Sequence, residues 1–375
     1  MQLKLCIIVS DVDTSHLIET MGRSLNREKY EVSFVFLGRT VPSLFHTLLG
    51  HGHVVKFVKC DGKKELLPAV IRIGKILDEI KPDIVHTHLV NASIAGLTAA
   101  KLKGIKQRIH TRHHSVETHF DYPHGVYYDR LINYLSTHIV AISEVVSDVL
   151  IQRENVNPKK ISVIRHGFDL DRFKAVESLV DEIKDKYELN AHYPVIGVIS
   201  RHIHWKGVQF IIPAFKEVVK KYPKAKLVLA NALGPYHAQI NQLLNSLDES
   251  QYVLIEFEKR IFELYETFDV FVHAPIGKEY EAFGQVYVEA LMMGVPSVFT
   301  LSGIANDFIK DKYNALAVPY GDSQAIYQAI ELLLTDADLR RNIAAHGKSS
   351  ILGLFQERQM ADALDRLYDQ NKIVA

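Results

Sequence analysis

The amino-acid sequence predicts an α/β protein built from two doubly wound parallel sheets in two domains. Three observations carry that prediction. Short β-branched runs recur in two series, stretches of helical periodicity separate them, and a charge-rich segment bounded by Pro194 lies between the series. A chain of 375 residues with 47% hydrophobic content can bury more than one core.

The first series comprises residues 4–10, 32–37, 54–58, 83–88, 108–111, 139–143 and 161–165. The second comprises residues 195–200, 226–231, 252–257, 269–274, 297–301 and 315–318. Residues 174–193 read as a linker and lead-in helix rather than core, so the expected domains are 1–175 and 176–354. Residues 356–371 read as an amphipathic helix, with Met360, Ala363, Leu364 and Leu367 at helical spacing.

Lys+Arg and Asp+Glu both number 44, so no whole-molecule field draws the chain to nucleic acid. The two cysteines, Cys6 and Cys60, sit in or beside apolar runs and form no disulfide framework or zinc site. The opening apolar run is too short to span a membrane and lacks a cleavage site, which points to a cytoplasmic protein. The turn after it, Asp11-Val12-Asp13-Thr14-Ser15, lacks the glycine-rich dinucleotide fingerprint and disfavours a dehydrogenase. In open α/β sheets ligands bind beyond the carboxyl ends of the strands, so two facing sheets are expected to create a cleft, with the functional residues just after strands.

The strongest motif follows the 269–274 strand: Glu281-Ala282-Phe283-Gly284-Gln285-Val286-Tyr287-Val288-Glu289, ending in a helix stop at Gly294 and Pro296. Gly284 at a helix start lets a ligand approach the backbone, and the free amides of the first turn suit a diphosphate. Glu289 shares the helix face of Gln285 and Val286, within reach of a ribose. Glu281 precedes the helix, where a carboxylate can accept hydrogen bonds from sugar hydroxyls. Two such glutamates in isolation are more often a helix cap and a solvated charge. Context argues otherwise, because Arg201 and Lys206 follow the 195–200 strand and would stand at the rim of the same sheet, where fixed cations can replace a metal at a leaving diphosphate.

Together, Arg201, Lys206-Gly207 and the two glutamates enclosing Phe283-Gly284 resemble the GT-B-fold retaining glycosyltransferases of family 4, the glycosyl transferases group 1. Ile164-Arg165-His166-Gly167-Phe168-Asp169, followed by Arg172-Phe173, looks like a further stretch of that family. Residues 83–88, Ala141-Ile142-Ser143-Glu144 and Gly294-Val295-Pro296-Ser297 also match in the right order. The resemblance implies two Rossmann-like domains facing a cleft, the first for the acceptor and the second for a UDP- or GDP-linked hexose or N-acetylhexosamine. It implies transfer to a glycan, glycolipid or other acceptor with retention, by attack from the leaving-group face. Arg201 and Lys206 would then contact the diphosphate, Glu281 the transferred sugar and Glu289 the ribose, with main-chain amides at Phe283, Gly284, Gln285 and Val286 completing the phosphate site. A histidine of the first domain would face the donor sugar; Thr111-Arg112-His113 matches best, with His114 the neighbouring alternative. The helix within 355–375 would pack back onto the first domain.

The family's usual paired glycines are replaced here by Asp11, Asp13, Thr14 and Ser15, and Asn306 follows Ser302-Gly303 where a glutamate often stands. No metal is expected: the Asp11/Asp13 pair sits where Asp caps helices, and the clustered histidines lack cysteine partners. The basic stretch Lys101, Lys103, Lys106 and Arg108 is expected near the cleft side of the first domain, where it would touch an anionic lipid-linked acceptor or serve as a solvated face, and peripheral contact with the inner membrane face is the associated expectation. Two other functions share the architecture: a nucleotide-sugar epimerase, and a silent subunit that binds the nucleotide-sugar without turnover.

Overall fold

A computed structural model describes residues 2–370, so residues 371–375 of the expected terminal helix lie outside the described residues. The chain divides into two compact units, Met1–Phe168 with Phe355–Ala375, and Asp169–Leu354.

The first unit holds β1 (Leu3–Ser10), β2 (Tyr30–Gly38), β3 (Val54–Lys59), β4 (Ile84–His88), β5 (Gln107–Arg112), β6 (His138–Ala141) and β7 (Ile161–Val163). They form one parallel sheet in the order β3-β2-β1-β4-β5-β6-β7. Order reverses beside β1, so β1 and β4 diverge at a switch point. Helices cover both faces, which is why β1 reads as a nearly continuous apolar run and β4 opens with Ile84-Val85: Leu5, Cys6, Ile7, Ile8, Ile84 and Val85 are all buried. Burial pushes the Cys6 thiol up to about 12, so it behaves as a core residue rather than a nucleophile.

The helix Glu357–Gln370 completes this unit. Met360, Leu364, Leu367 and Tyr368 are buried against Leu5, Ile7, Tyr30 and Ile84. Its first residue, Glu357, accepts hydrogen bonds from Thr20 and Ser24 at 2.9 and 3.2 Å and pairs with Arg23. At the far end Lys29 bridges Asp365 and Asp369 at 2.7 and 2.5 Å.

The basic stretch lies away from the expected cleft edge. β5 begins at Gln107, so Lys101, Lys103, Lys106 and Arg108 gather at the amino end of the strands, opposite the edge where ligands bind. Lys103 pairs with Asp78, Lys101 lies 4.1 Å from the centre of the Tyr134 ring, and Arg108 donates to the carbonyls of Ile105 and Leu135.

The second unit holds β8 (Val195–Ile199), β9 (Lys226–Ala230), β10 (Tyr252–Ile255), β11 (Val270–His273), β12 (Ser297–Phe299) and β13 (Leu316–Ala317). Its parallel sheet runs β10-β9-β8-β11-β12-β13. The lead-in segment is more than a linker: the helix Glu177–Lys186 buries Val180 and Ile183, because its apolar residues recur at helical spacing. Glu258 anchors it, accepting from Tyr187 at 2.6 Å and Lys186 at 2.7 Å.

Candidate active site

In the second unit the carboxyl ends of β8 and β11 bring the predicted Lys206 and Glu281 into contact. Beyond β8 the chain passes Arg201, makes a short turn over His204–Lys206 and reaches Gly207 at φ +75°. A Cβ at Gly207 would lie 1.8 Å from the carbonyl oxygen of Ala274, so only glycine lets this loop close on the segment after β11. Ile276 N–H donates to the Trp205 carbonyl at 3.0 Å, and the Trp205 and Tyr280 rings stack at 6.1 Å.

Glu281 is buried at the centre of the contact. Its Oε1 lies 2.5 Å from Lys206 Nζ and 2.9 Å from His273 Nε2. The Lys206 ammonium also lies 4.6 Å from the centre of the Trp205 ring. Burial pushes the Glu281 carboxyl up, but the Lys206 charge and the His273 hydrogen bond outweigh it and hold the group at about 2. Glu281 is therefore no helix cap: its side chain serves Lys206 and His273, while its own N–H donates to Ser302 Oγ at 3.1 Å.

Gly284, at φ +87°, starts the helix Gln285–Met292, whose opening amides have no intrahelical acceptor. A Cβ there would meet the Tyr287 ring at 2.6 Å and sit 3.8 Å from Glu281 Cδ, which sets the helix start directly beside the carboxylate. Phe283 is buried, Gln285 exposed and Val286 half-buried. The segment Ser302–Asn306 backs this turn: Gly303 and Ile304 donate to the carbonyls of Lys278 and Phe283, both at 3.0 Å, and Asn306 donates to those of Leu301 and Gly303. Glu289 is half-buried one helical turn on, and its Oε2 accepts from Tyr265 at 2.9 Å. Burial raises its carboxyl, the Tyr265 hydrogen bond offsetting part of the rise. The Arg201 side chain is exposed, and its guanidinium makes no hydrogen bond or ion pair among the described residues.

In the first unit His113 follows β5, half-buried, with Nε2 3.0 Å from His88 Nδ1. The rings of His86, His88, His113 and His166 form a line with centroids 4.5, 5.2 and 5.6 Å apart. Burial lowers all four, His86 to about 3 and His166 to about 4, so they are neutral imidazoles near pH 7. Tyr368 and Thr111 hold the two ring nitrogens of His86 at 2.8 and 2.7 Å. His114 turns away, to Asp129 at 3.1 Å.

Sequence reasoning missed two groups. His273 carried no signal, because a histidine ending an apolar strand resembles a satisfied core residue. Arg112 passed as part of a motif, yet it is fully buried between Asp129 at 2.8 Å and Glu154 at 2.8 Å. Burial pushes Asp129 up, but the His114 hydrogen bond and the Arg112 charge bring it to about 2. This network fixes the loop that carries His113. Asp11 and Asp13 are also occupied: Asp11 accepts from Asn91 at 2.8 Å, and Asp13 accepts from Ser43 N–H at 2.8 Å at the start of the helix Ser43–Gly50. Among the described residues no group of three His, Cys, Asp or Glu is arranged to hold a metal ion, and no helix is long and apolar enough to cross a membrane.

Two parallel Rossmann-like units, one with Lys206 and Glu281 at its strand ends, make up the GT-B architecture. Residues 15–172 match the profile "Glycosyltransferase Family 4" and residues 180–350 match "Glycosyl transferases group 1". The chain belongs to the GT-B, family 4-like glycosyltransferases. It is 27% identical over 370 residues to the capsular polysaccharide biosynthesis glycosyltransferase CapM of Staphylococcus aureus, covering 94% of this chain and 89% of CapM. HepE of Anabaena, solved with UDP and glucose, superposes with a TM-score of 0.81 at 18% identity, over 97% of this chain and 99% of HepE. The UDP-GlcNAc 2-epimerase of Neisseria meningitidis, bound to UDP-GlcNAc, is a more distant likeness, with a TM-score of 0.64 at 15% identity over 98% and 100% of the two chains.

Proposed function

We propose that the protein transfers a hexose or N-acetylhexosamine from a UDP- or GDP-linked donor to a glycan or glycolipid acceptor, with retention of anomeric configuration and without a metal ion. The observation that carries this reading is the Lys206–Glu281 pair set against the Gly284 helix start. A cation, a carboxylate and the amides of a helix start match a donor's diphosphate and its sugar. Breaking the anomeric bond builds negative charge on the departing phosphate, which Lys206 and Arg201 would stabilise; one such donor is typically worth roughly 10²–10³ in rate. Glu281 would accept from the sugar hydroxyls, Glu289 from the ribose, and the amides of Phe283, Gly284, Gln285 and Val286 would receive phosphate oxygens. Likeness to CapM and to the UDP-bound HepE supports the donor and acceptor classes. The lower likeness to the epimerase favours transfer over epimerisation.

A thermal-shift screen with UDP, GDP, ADP and their sugar conjugates tests the donor site. One nucleoside diphosphate and its conjugates should raise the melting temperature, because ligand at about 100 times its Kd adds roughly 2.7 kcal/mol. A screen in which none does so defeats the reading. The anomeric proton coupling of a product would then test retention.

A further inference from the structure

We propose that His273 is a positioning residue that takes over the Glu281 carboxylate when Lys206 turns from it to the donor's diphosphate. The inference rests on the donor reading above.

A single oxygen, Glu281 Oε1, is shared by the two groups. Lys206 Nζ lies 2.5 Å from it and His273 Nε2 lies 2.9 Å from it. Lys206 therefore has a partner before any ligand arrives, and that partner is the carboxylate assigned to the sugar. An ammonium on a flexible stem can swing to a diphosphate. Glu281 cannot follow it, because its backbone is tied to Ser302 Oγ and its side chain is buried. A buried carboxylate deprived of its cation needs another donor. His273 is the group in place. It ends β11, is 1% exposed, and its ring sits edge-on to the Tyr287 ring at 4.9 Å. Among the described residues its Nδ1 has no hydrogen-bond partner, so the Nε2–H tautomer that donates to Glu281 leaves only a lone pair unsatisfied. Without His273, the loss of Lys206 would free Glu281 to rotate or to take up a proton itself, and a protonated or displaced carboxyl accepts more weakly from the sugar.

The handover has a proton signature. The titratable groups facing the His273 ring are Glu281, Lys206 and Tyr287. Burial holds the imidazole below its ordinary value, Glu281 pulls it up and Lys206 pulls it down. Burial keeps the Tyr287 phenol far above its ordinary value and hence neutral. Departure of Lys206 removes a downward pull and leaves the upward one, so His273 binds protons more readily in the liganded protein. Donor binding should therefore take up protons below neutral pH.

Isothermal titration of the full chain with UDP-glucose and GDP-mannose, at pH 6.0 in buffers of different ionisation heat, reads that uptake without interference from a titrating terminal phosphate. The wild type should take up a fraction of a proton with the conjugate it binds. His273→Gln keeps a donor near Nε2 but cannot titrate; it should bind within about threefold of wild type and take up none. With water taking the sugar in place of the acceptor, His273→Leu should hydrolyse UDP-glucose to UDP and glucose, or GDP-mannose to GDP and mannose, about tenfold more slowly at saturating donor, as expected for an unpaired buried acceptor. His273→Gln should restore most of that rate. Equal proton uptake by wild type and His273→Gln, or an unchanged rate in His273→Leu, overturns the handover while leaving the donor site intact. Absence of binding by both conjugates removes the donor site and the handover with it. Should His273→Leu fail to fold, the comparison of wild type with His273→Gln decides.

Discussion

Tyr265 donates its phenolic hydrogen to Glu289 Oε2 across 2.9 Å, from a ring that is itself fully buried. The bond holds a carboxylate on the helix that starts at Gly284, in a setting where burial raises its pKa. A raised acid contributes stability below its unfolded value and loses that contribution as pH rises through the folded one. Near pH 7 the charged form is thus the costly one. Glu289→Gln should raise the melting temperature at pH 7.5, with a smaller gain at pH 5, while weakening donor binding about tenfold through loss of a charged acceptor. Scanning fluorimetry at both pH values and a donor titration check the two effects, and a melting temperature lowered at pH 7.5 would contradict the first.

Lys206→Met should behave in the opposite sense. It leaves Glu281 buried with His273 alone, and stripping one partner from a buried pair costs about 3–5 kcal/mol. Glu281 lies at about 2 in the folded protein against an ordinary 4.5, so its contribution is present above 4.5 and lost as pH falls toward 2. The stability gap between wild type and Lys206→Met, followed by urea unfolding, should therefore shrink once pH drops below 4.5. Adding Glu281→Gln to the variant should recover part of the loss at pH 7.

Arg112→Met should be more damaging to the fold than to any ligand contact. It strands Asp129 and Glu154, both carboxylates without exposure, at a cost of about 3–5 kcal/mol. Urea midpoints with and without Asp129→Asn measure the coupling, and additive losses would refute the shared network.

His113 and His114 can be told apart by which property each variant loses. His114→Ala removes a hydrogen bond to the buried Asp129 and should lower the melting temperature. His113→Ala touches no carboxylate and breaks only a hydrogen bond between two neutral imidazoles, to His88, so it should lower it less. If His113 faces the donor sugar, its variant should lower turnover by roughly 10²–10³ with donor affinity preserved. The reverse assignment predicts that the catalytic loss follows His114.

Much of this molecule can be read in one dimension. Among the described residues the central strands follow from β-branched runs such as residues 226–231 and 269–274, because parallel strands buried on both faces have no polar side to blur the pattern. The glycine and helix start at Gly284 were equally legible, since a left-handed residue before a helix has few sequence solutions. What escaped was pairing over distance. Lys206 and Glu281 stand 75 residues apart, and Arg112 meets Glu154 across 42, so each could be assigned to a ligand or a motif but not to its partner. The basic stretch at Lys101–Arg108 is a different kind of miss. Its charges were visible, and strand direction alone, with Gln107 opening β5, would have put them at the amino edge.

The terminal helix Glu357–Gln370 closes the first unit, yet the ribosome makes it after the whole of the second. During synthesis the stripe formed by Leu5, Ile7, Tyr30 and Ile84 lacks the cover of Met360, Leu364, Leu367 and Tyr368 while residues 169–354 emerge and fold. The unit begun first is finished last, and throughout that interval its sheet presents an apolar surface to chaperones and to neighbouring nascent chains.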